Sequence, residues 1–425
     1  MCNLVLINPW VYDFSLYNLW SAPLGLYKVS EFLSQYRVNI NIIDCLDAHI
    51  KEKPDGRSHI FKEKVQKPDI LRKIPRFYYK FGINDALFKQ KVVEIGKIDA
   101  FLITSHMSYW YPGVQEIVNV LNEIKPDVPV IIGGIYATLN HSHAEKLLPT
   151  AHICKGMVDR SLIELLNNFG IHLNETGPKK HWSDFIAVKK YAPIITGYGC
   201  PMRCSYCASH ILNPKFTQLE PDTIFKEINH LYQKGVRHFA FYDDAILVNS
   251  ERHFIPILER ILNPPFTKDG LGDISFHTPV GIQSRFITPK IAKLMNHANL
   301  KYLRIGYETS NLELQKKTGG KICNEELKQG ITYLKEAGFK GEDIGVFIMF
   351  GLPGQPFSEV IEAVNFVRSL NAKVVLTEYS PIIGTEEYKK TPDISDLLLT
   401  NNNAYSLLFC NYTKSDIDRL KLAIK

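Results

Sequence analysis

The chain has 425 residues, of which 45% are hydrophobic and 22% charged, and it carries a formal charge of +6 at pH 7. That length predicts two or three domains with sizeable cores. The charge is mild and the lysines are spread along the chain, so composition makes no case for nucleic acid, and no run of about 18 apolar residues is present to span a membrane.

Met1-Cys2-Asn3-Leu4-Val5 lacks the basic and long apolar regions of a signal peptide, which points to the cytoplasm. The scattered cysteines at 2, 45, 154, 323 and 410 read as small buried hydrophobes of a reducing compartment. Leu4 to Pro9 is an apolar run stopped by Asn-Pro and reads as a buried strand. Leu24 to Tyr36 has helical spacing. Val38–Asp44, Ala100–Thr104, Val128–Ile132 and Ala151–Cys154 read as four more strands, with helices over 112–124 and 160–168. Strands alternating with helices predict a doubly wound parallel sheet, with ligands beyond the carboxyl ends of its strands. His106-Met107-Ser108-Tyr109-Trp110-Tyr111 follows the third strand, where such a sheet meets a ligand.

Residues 51–90 interrupt the alternation with a basic, aromatic insertion, read as a surface excursion carrying a small helix. Residues 171–190 are polar and read as a linker.

Beyond the linker, Ile195-Thr196-Gly197-Tyr198-Gly199 leads into Cys200-Pro201-Met202-Arg203-Cys204-Ser205-Tyr206-Cys207, a C-x₃-C-x₂-C spacing. Iron–sulfur clusters usually take four cysteines. Three on one loop can hold three corners of a cubane and leave the fourth iron open to a small molecule. A zinc site with His210 as fourth ligand, a disulfide, or buried thiols are the other readings. Helices follow over 221–234, 255–262, 289–297, 324–337 and 358–370. Strands lie over 236–242, 274–281, 300–307, 344–350 and 373–377, so that with 192–196 six strand–helix units are expected. Polar residues at the carboxyl ends of such strands line active sites. They are Asp243 and Asp244, Arg285, Glu308, and the turn Gly351-Leu352-Pro353-Gly354. Arg304 is expected inside the barrel, where it must be paired. The last residues, 391–425, read as a short extension broken at Asn401-Asn402-Asn403, with a helix over 415–424.

The cysteine stretch, with Tyr206 just before its third cysteine, resembles the cluster loop of the radical S-adenosylmethionine (radical SAM) superfamily. The resemblance implies a 4Fe-4S cluster on Cys200, Cys204 and Cys207, whose open iron chelates S-adenosylmethionine. It also implies release of a 5′-deoxyadenosyl radical, an electron donor such as flavodoxin or ferredoxin, and a small-molecule or peptide substrate. Gly351, Pro353 and Gly354 match the element that contacts adenine. Glu308 matches the acid at the end of strand four that accepts from the ribose. Asp243 and Asp244 stand where the amino group is bound, with a helix N-cap as the alternative for each. Arg285 is placed to pair with the cofactor's carboxylate.

The first half resembles the cobalamin (B12)-binding-type domain that precedes many radical SAM cores, through Asn8-Pro9, Pro23-Leu24-Gly25, Asp44, Thr104-Ser105 and Gly133-Gly134. The D-x-H-x-x-G signature of the histidine-ligated form is absent. Asp47-Ala48-His49 copies its first letters after the wrong strand, and His49 reads as a solvated loop residue. A base-off cobalamin and an empty domain both stand.

The expectation is therefore an α/β chain: a Rossmann-like doubly wound sheet over 1–170, a linker over 171–190, a (β/α)₆ partial barrel over 191–390 and an extension over 391–425. The implied reaction is methyl transfer or rearrangement at an unactivated carbon. The alternatives are a cobalamin-independent radical SAM enzyme and a closed metal-binding or electron-transfer module.

Overall fold

The apolar runs of the first half lie side by side in one parallel sheet: β1 (Cys2–Asn8), β2 (Val38–Asp44), β3 (Ala100–Ile103), β4 (Val130–Ile132) and β5 (Ala151–Ile153), in the order β5-β4-β3-β1-β2. This computed structural model describes residues 2–175, 177–185, 189–263, 274–410 and 412–424. The chain divides into two units, residues 1–187 and 188–425.

A strand buried on both faces reads as a near-continuous apolar run, and β1 does so for that reason. Leu4 and Leu6 pack with Leu102, Ile131 and the helices α1 (Leu24–Leu33) and α4 (Arg160–Asn168) on one face. Val5 and Ile7 pack with Phe101, Ile103 and the helices α2 (Asp85–Ile95) and α3 (Tyr111–Ile124) on the other. The order of strands reverses between β1 and β3, so the carboxyl ends of these two flank the switch point where open α/β sheets bind ligands.

Two expectations are refined here. Residues 51–84 carry a small helix, as the single 3₁₀ turn Asp69–Leu71, but most of their order is in short strands. Tyr78–Phe81 lies antiparallel between Val11–Asp13 and Lys62–Val65, and Ser58–Ile60 lies antiparallel between Tyr17–Asn18 and His49–Ile50. The helix α2 starts within the expected insertion, capped by Asn84, and serves as the crossover between β2 and β3. The polar stretch expected as a linker returns to α1: Arg37 N donates to Asn174 O, Gly177 N to Gln35 O, and the fully buried Trp182 stacks on Tyr27. Thr176 and residues 186–188 of that stretch lie outside the described residues.

In the second unit six parallel strands follow one another in sequence order: β6 (Tyr191–Ile194), β7 (His238–Phe241), β8 (Ser275–Ile282), β9 (Leu300–Glu308), β10 (Ile344–Phe350) and β11 (Lys373–Glu378). Among the described residues β6 and β11 do not pair, so the sheet is a partial barrel. The longer helices that connect the strands are α5 (Pro221–Gln233), α6 (Phe254–Ile261), α7 (Pro289–His297), α8 (Asn324–Glu336) and α9 (Phe357–Ser369). Strand alternation fixes the two faces. Tyr307 stacks on Phe366 of α9, which puts Leu303, Ile305 and Tyr307 under the helices. Arg304, Gly306 and Glu308 therefore face the concave side. Asn401 caps a further helix, α10 (Asn402–Phe409), rather than breaking the chain, because an asparagine at an N-cap satisfies a free backbone N–H. A last helix, α11, spans Lys414–Ala423.

Candidate active site

The cysteine loop leaves β6 at the carboxyl pole of the partial barrel. Gly197–Tyr198 pairs antiparallel with Thr217–Gln218, which closes the loop at its base. Cys200, Cys204 and Cys207 are all free thiols. Burial pushes the Cys207 thiol up to about 11, and Cys204, Asp244 and Cys200 add to that. Cys200 is raised by burial too, with Cys204 and Asp244 contributing. The three thiols thus feel one another and the carboxylate of Asp244. Among the described residues, no three His, Cys, Asp or Glu side chains converge on the space of one metal ion, and His210 joins no such group.

Three neighbours hold this loop. Ser205 N donates to Thr318 O at 3.2 Å, and Ser205 Oγ donates to Glu387 Oε1 at 2.8 Å. Gly319, with φ of +112°, lies so close that a Cβ there would stand 2.8 Å from Arg203 O and 3.0 Å from the Cys204 Cα. On its entry side, Asp243 Oδ1 accepts from Thr196 N at 2.8 Å and from Thr196 Oγ1 at 2.7 Å, while His253 Nε2 lies 2.8 Å from that hydroxyl. Burial lifts the Asp243 carboxyl to about 7. Asp244 takes a hydrogen bond from Ser209 Oγ at 2.5 Å, two residues past Cys207. Neither acid caps a helix, since the next one starts at Phe254.

Glu308 ends β9 at φ of +77°, a left-handed conformation that a glutamate adopts only under constraint. A register shift between Gly306 and Glu308 accompanies it. Its Oε1 meets Lys321 Nζ at 2.5 Å, and that ammonium lies 5.5 Å from the ring centre of Tyr206. Burial alone would lower Lys321, yet Glu308, Tyr206 and Cys204 outweigh it and hold the ammonium charged. Gly306 makes room, for a Cβ there would stand 3.0 Å from Lys321 Nζ.

Arg304 faces the concave side. Its guanidinium donates to Leu303 O at 2.8 Å and lies 3.5 Å from the Tyr302 ring centre, in space left by Gly345. Arg285 makes a two-pronged contact with Glu326 of α8, at 3.2 Å and 3.1 Å. Gly351 and Gly354 both take positive φ, and the turn they frame lines a cavity of about 240 Å³ with Phe409, Cys410 and Tyr412. Cys410 Sγ donates to Gly351 O at 3.2 Å, so the C-terminal extension packs on the turn expected to meet adenine.

Residues 194–367 match the family model described as the radical SAM superfamily. That stretch is a radical SAM domain, and it takes in most of the second unit. An uncharacterised methyltransferase of Pyrococcus horikoshii is 25% identical over 215 residues, covering 50% of this chain and 44% of that protein. The ribosomal protein uS12 methylthiotransferase of Carboxydothermus hydrogenoformans is 23% identical over 276 residues, 60% of each chain. The chain thus spans about half the length of these curated relatives. Among solved structures, the radical SAM methyltransferase TsrM of Kitasatospora setae, with tryptophan and a SAM analogue bound, aligns with a TM-score of 0.66 at 16% identity, over 91% of this chain and 75% of that one. The cobalamin-dependent radical SAM enzyme OxsB aligns with a TM-score of 0.57 at 14% identity, over 99% of this chain and 56% of that one. At these identities the likeness is one of fold.

A radical SAM domain works through a 4Fe-4S cluster and S-adenosylmethionine, and the residues present fit both. Three free thiols on one loop, which among the described residues do not close around a single ion, suit a multi-iron cluster that each of them holds at one corner. At the ends of β7 and β8, Asp243 Oδ2 and Gln283 Oε1 are buried without a hydrogen-bond partner. Buried polar atoms are paired as a rule, so two orphan acceptors at the carboxyl pole mark a place for a donor-bearing ligand such as an ammonium group. Lys321 and Glu387 were not singled out in the sequence. Gly319-Gly320 before Lys321 was the one local signal of a close backbone approach.

Proposed function

We propose that this chain is a cobalamin-dependent radical SAM methyltransferase, or a related radical enzyme acting at an unactivated carbon. The observation that carries the radical SAM part is the loop of three free thiols beside the orphan acceptors of Asp243 and Gln283. Cys200, Cys204 and Cys207 would hold the cluster. When bound, the cluster and S-adenosylmethionine supply an electron and a cleavable carbon–sulfur bond. The chain's own residues do the rest. Asp243 and Gln283 offer acceptors to the amino group of the cofactor. Glu308 keeps one oxygen on Lys321 and leaves the other to accept from a hydroxyl, since a carboxylate has acceptor capacity for several donors. The turn 351–354 offers backbone groups to a flat base, and Arg285, already engaged by Glu326, is the weakest of the expected contacts.

Support for cobalamin comes from the first unit. Its strand order is that of the flavodoxin-like sheets, which take a large planar cofactor at the switch point. Gly25, Gly133 and Gly156, each at the carboxyl side of that sheet, have nothing within 4 Å of where a Cβ would stand, so the rim is open to a broad ligand. TsrM and OxsB, the neighbours in fold, are described with cobalamin bound.

The test is anaerobic reconstitution with iron, sulfide and cobalamin, then desalting. Retained corrin absorption together with reductive cleavage of S-adenosylmethionine supports the reading. Cluster and cleavage without corrin would select the cobalamin-independent alternative. Cleavage surviving in Cys204→Ala would overturn the cluster assignment.

A further inference from the structure

Asn8 and His106 occupy the switch point of the first unit, one at the end of β1 and the other just past β3. Their side chains meet there: His106 Nε2 lies 3.1 Å from Asn8 Oδ1, and Asn8 Nδ2 donates to Asp44 Oδ1 at 2.6 Å. Asn8 therefore spends its amide N–H on Asp44 and turns its carbonyl oxygen to the ring, so His106 Nε2 must carry the hydrogen and donate. In a neutral imidazole the other nitrogen, Nδ1, then holds the lone pair. It makes no hydrogen bond to a described residue and does not belong to the fully buried orphan atoms. Trp110 stands edge-on to the ring with centroids 6.4 Å apart and limits its swing.

This is how proteins prepare a metal-binding histidine: one ring N–H is tied to a polar partner, which fixes the tautomer and aims the other nitrogen. We infer that His106 Nδ1 is the protein's axial ligand to the cobalt of the corrin, held by Asn8 and Asp44 as positioning residues. The inference rests on the cobalamin reading above and deepens it. It replaces the absent D-x-H-x-x-G histidine with one on a different strand, and it leaves His49 aside, which bonds to Ser58 and Asp47.

The experiment uses the full chain loaded with cobalamin, reduced to the cobalt(II) state and examined by electron paramagnetic resonance. An axial nitrogen-14 splits each cobalt line into three, whereas nitrogen-15 splits it into two. Protein labelled with [15N]histidine is expected to give doublets, and unlabelled protein triplets. His106→Gln is expected to retain corrin while losing the histidine splitting, and Asn8→Ala to weaken corrin affinity by roughly tenfold or more. Triplets in both labelled and unlabelled protein would assign the nitrogen to the cofactor's own base and overturn the inference. Retained corrin without nitrogen splitting would overturn it as well, and leave the cobalamin reading standing. A chain that retains no corrin on desalting sinks both.

Discussion

The ammonium of Lys321 lies 2.5 Å from Glu308 Oε1, at the point where β9 ends in a left-handed glutamate. Their side chains are 17% and 11% exposed, so the pair is nearly desolvated and removal of one partner strands the other charge. Breaking a buried pair costs about 3–5 kcal/mol, whereas replacing both partners with neutral residues costs far less. Lys321→Met is therefore expected to destabilise the second unit by about 3 kcal/mol, and the double variant with Glu308→Gln to recover most of that. Denaturant unfolding of the four proteins of the cycle reads the coupling. Additive single effects would show that the pair is screened by solvent and does not hold Glu308 in place.

Gly319 argues a second expectation, because its neighbour provides the control. Alanine at 319 would push a Cβ against the backbone of Arg203 and Cys204, while at Gly320 nothing stands within 4 Å. Both glycines have positive φ, so both alanines carry some left-handed strain, about 1–2 kcal/mol. Only Gly319→Ala should also displace the cysteine loop. Its reconstituted protein is expected to hold clearly less iron and sulfide per chain than Gly320→Ala. Equal loading would mean that the loop tolerates the shift.

How much of this was legible beforehand depended on range. The strands showed because each is buried on both faces, and the three cysteines because they share one loop. Glu308 and the Asp243-Asp244 pair showed because polar residues directly follow apolar strands. What hid was long-range pairing. Lys321 is 13 residues from Glu308, and Glu387 is 182 from Ser205. No periodicity links such positions. The strands of the insertion hid for a similar reason: Tyr78–Phe81 pairs with Val11–Asp13 and Ser58–Ile60 with Tyr17–Asn18, segments too short to announce themselves. Trp182 anchors a stretch whose polar composition otherwise suggests a linker.

The first unit offers its own test of packing. A Cβ on Gly113, in the first turn of α3, would stand 1.8 Å from Trp10 O, whereas one on Gly133 meets nothing. Overpacking of this kind costs about 1–3 kcal/mol and more where backbone must move. Gly113→Ala is expected to lower the thermal stability of the first unit clearly, and Gly133→Ala to leave it nearly unchanged. If Gly113→Ala behaved as wild type, α3 would have to sit further from Trp10.

Asp243 yields an expectation about pH. Its carboxyl titrates near 7 in the folded chain because burial disfavours the charge, against about 4 when unfolded. Between those values the folded state binds more protons than the unfolded state, so this group's contribution is fully present below about pH 4, falls as pH rises and levels off above 7. The slope is at most about 1.4 kcal/mol per pH unit. Asp243→Asn keeps an acceptor for Thr196 and never ionises, so the cluster-free variant should gain on the wild type steadily from pH 5 to 7 and no further by pH 8. Parallel thermal-unfolding profiles across that range would show that the carboxylate finds water or a cation in solution, and would remove the orphan acceptor from the site. A gain that vanishes when S-adenosylmethionine is bound to the cluster-loaded protein would instead identify the ammonium group as the partner that Asp243 Oδ2 lacks.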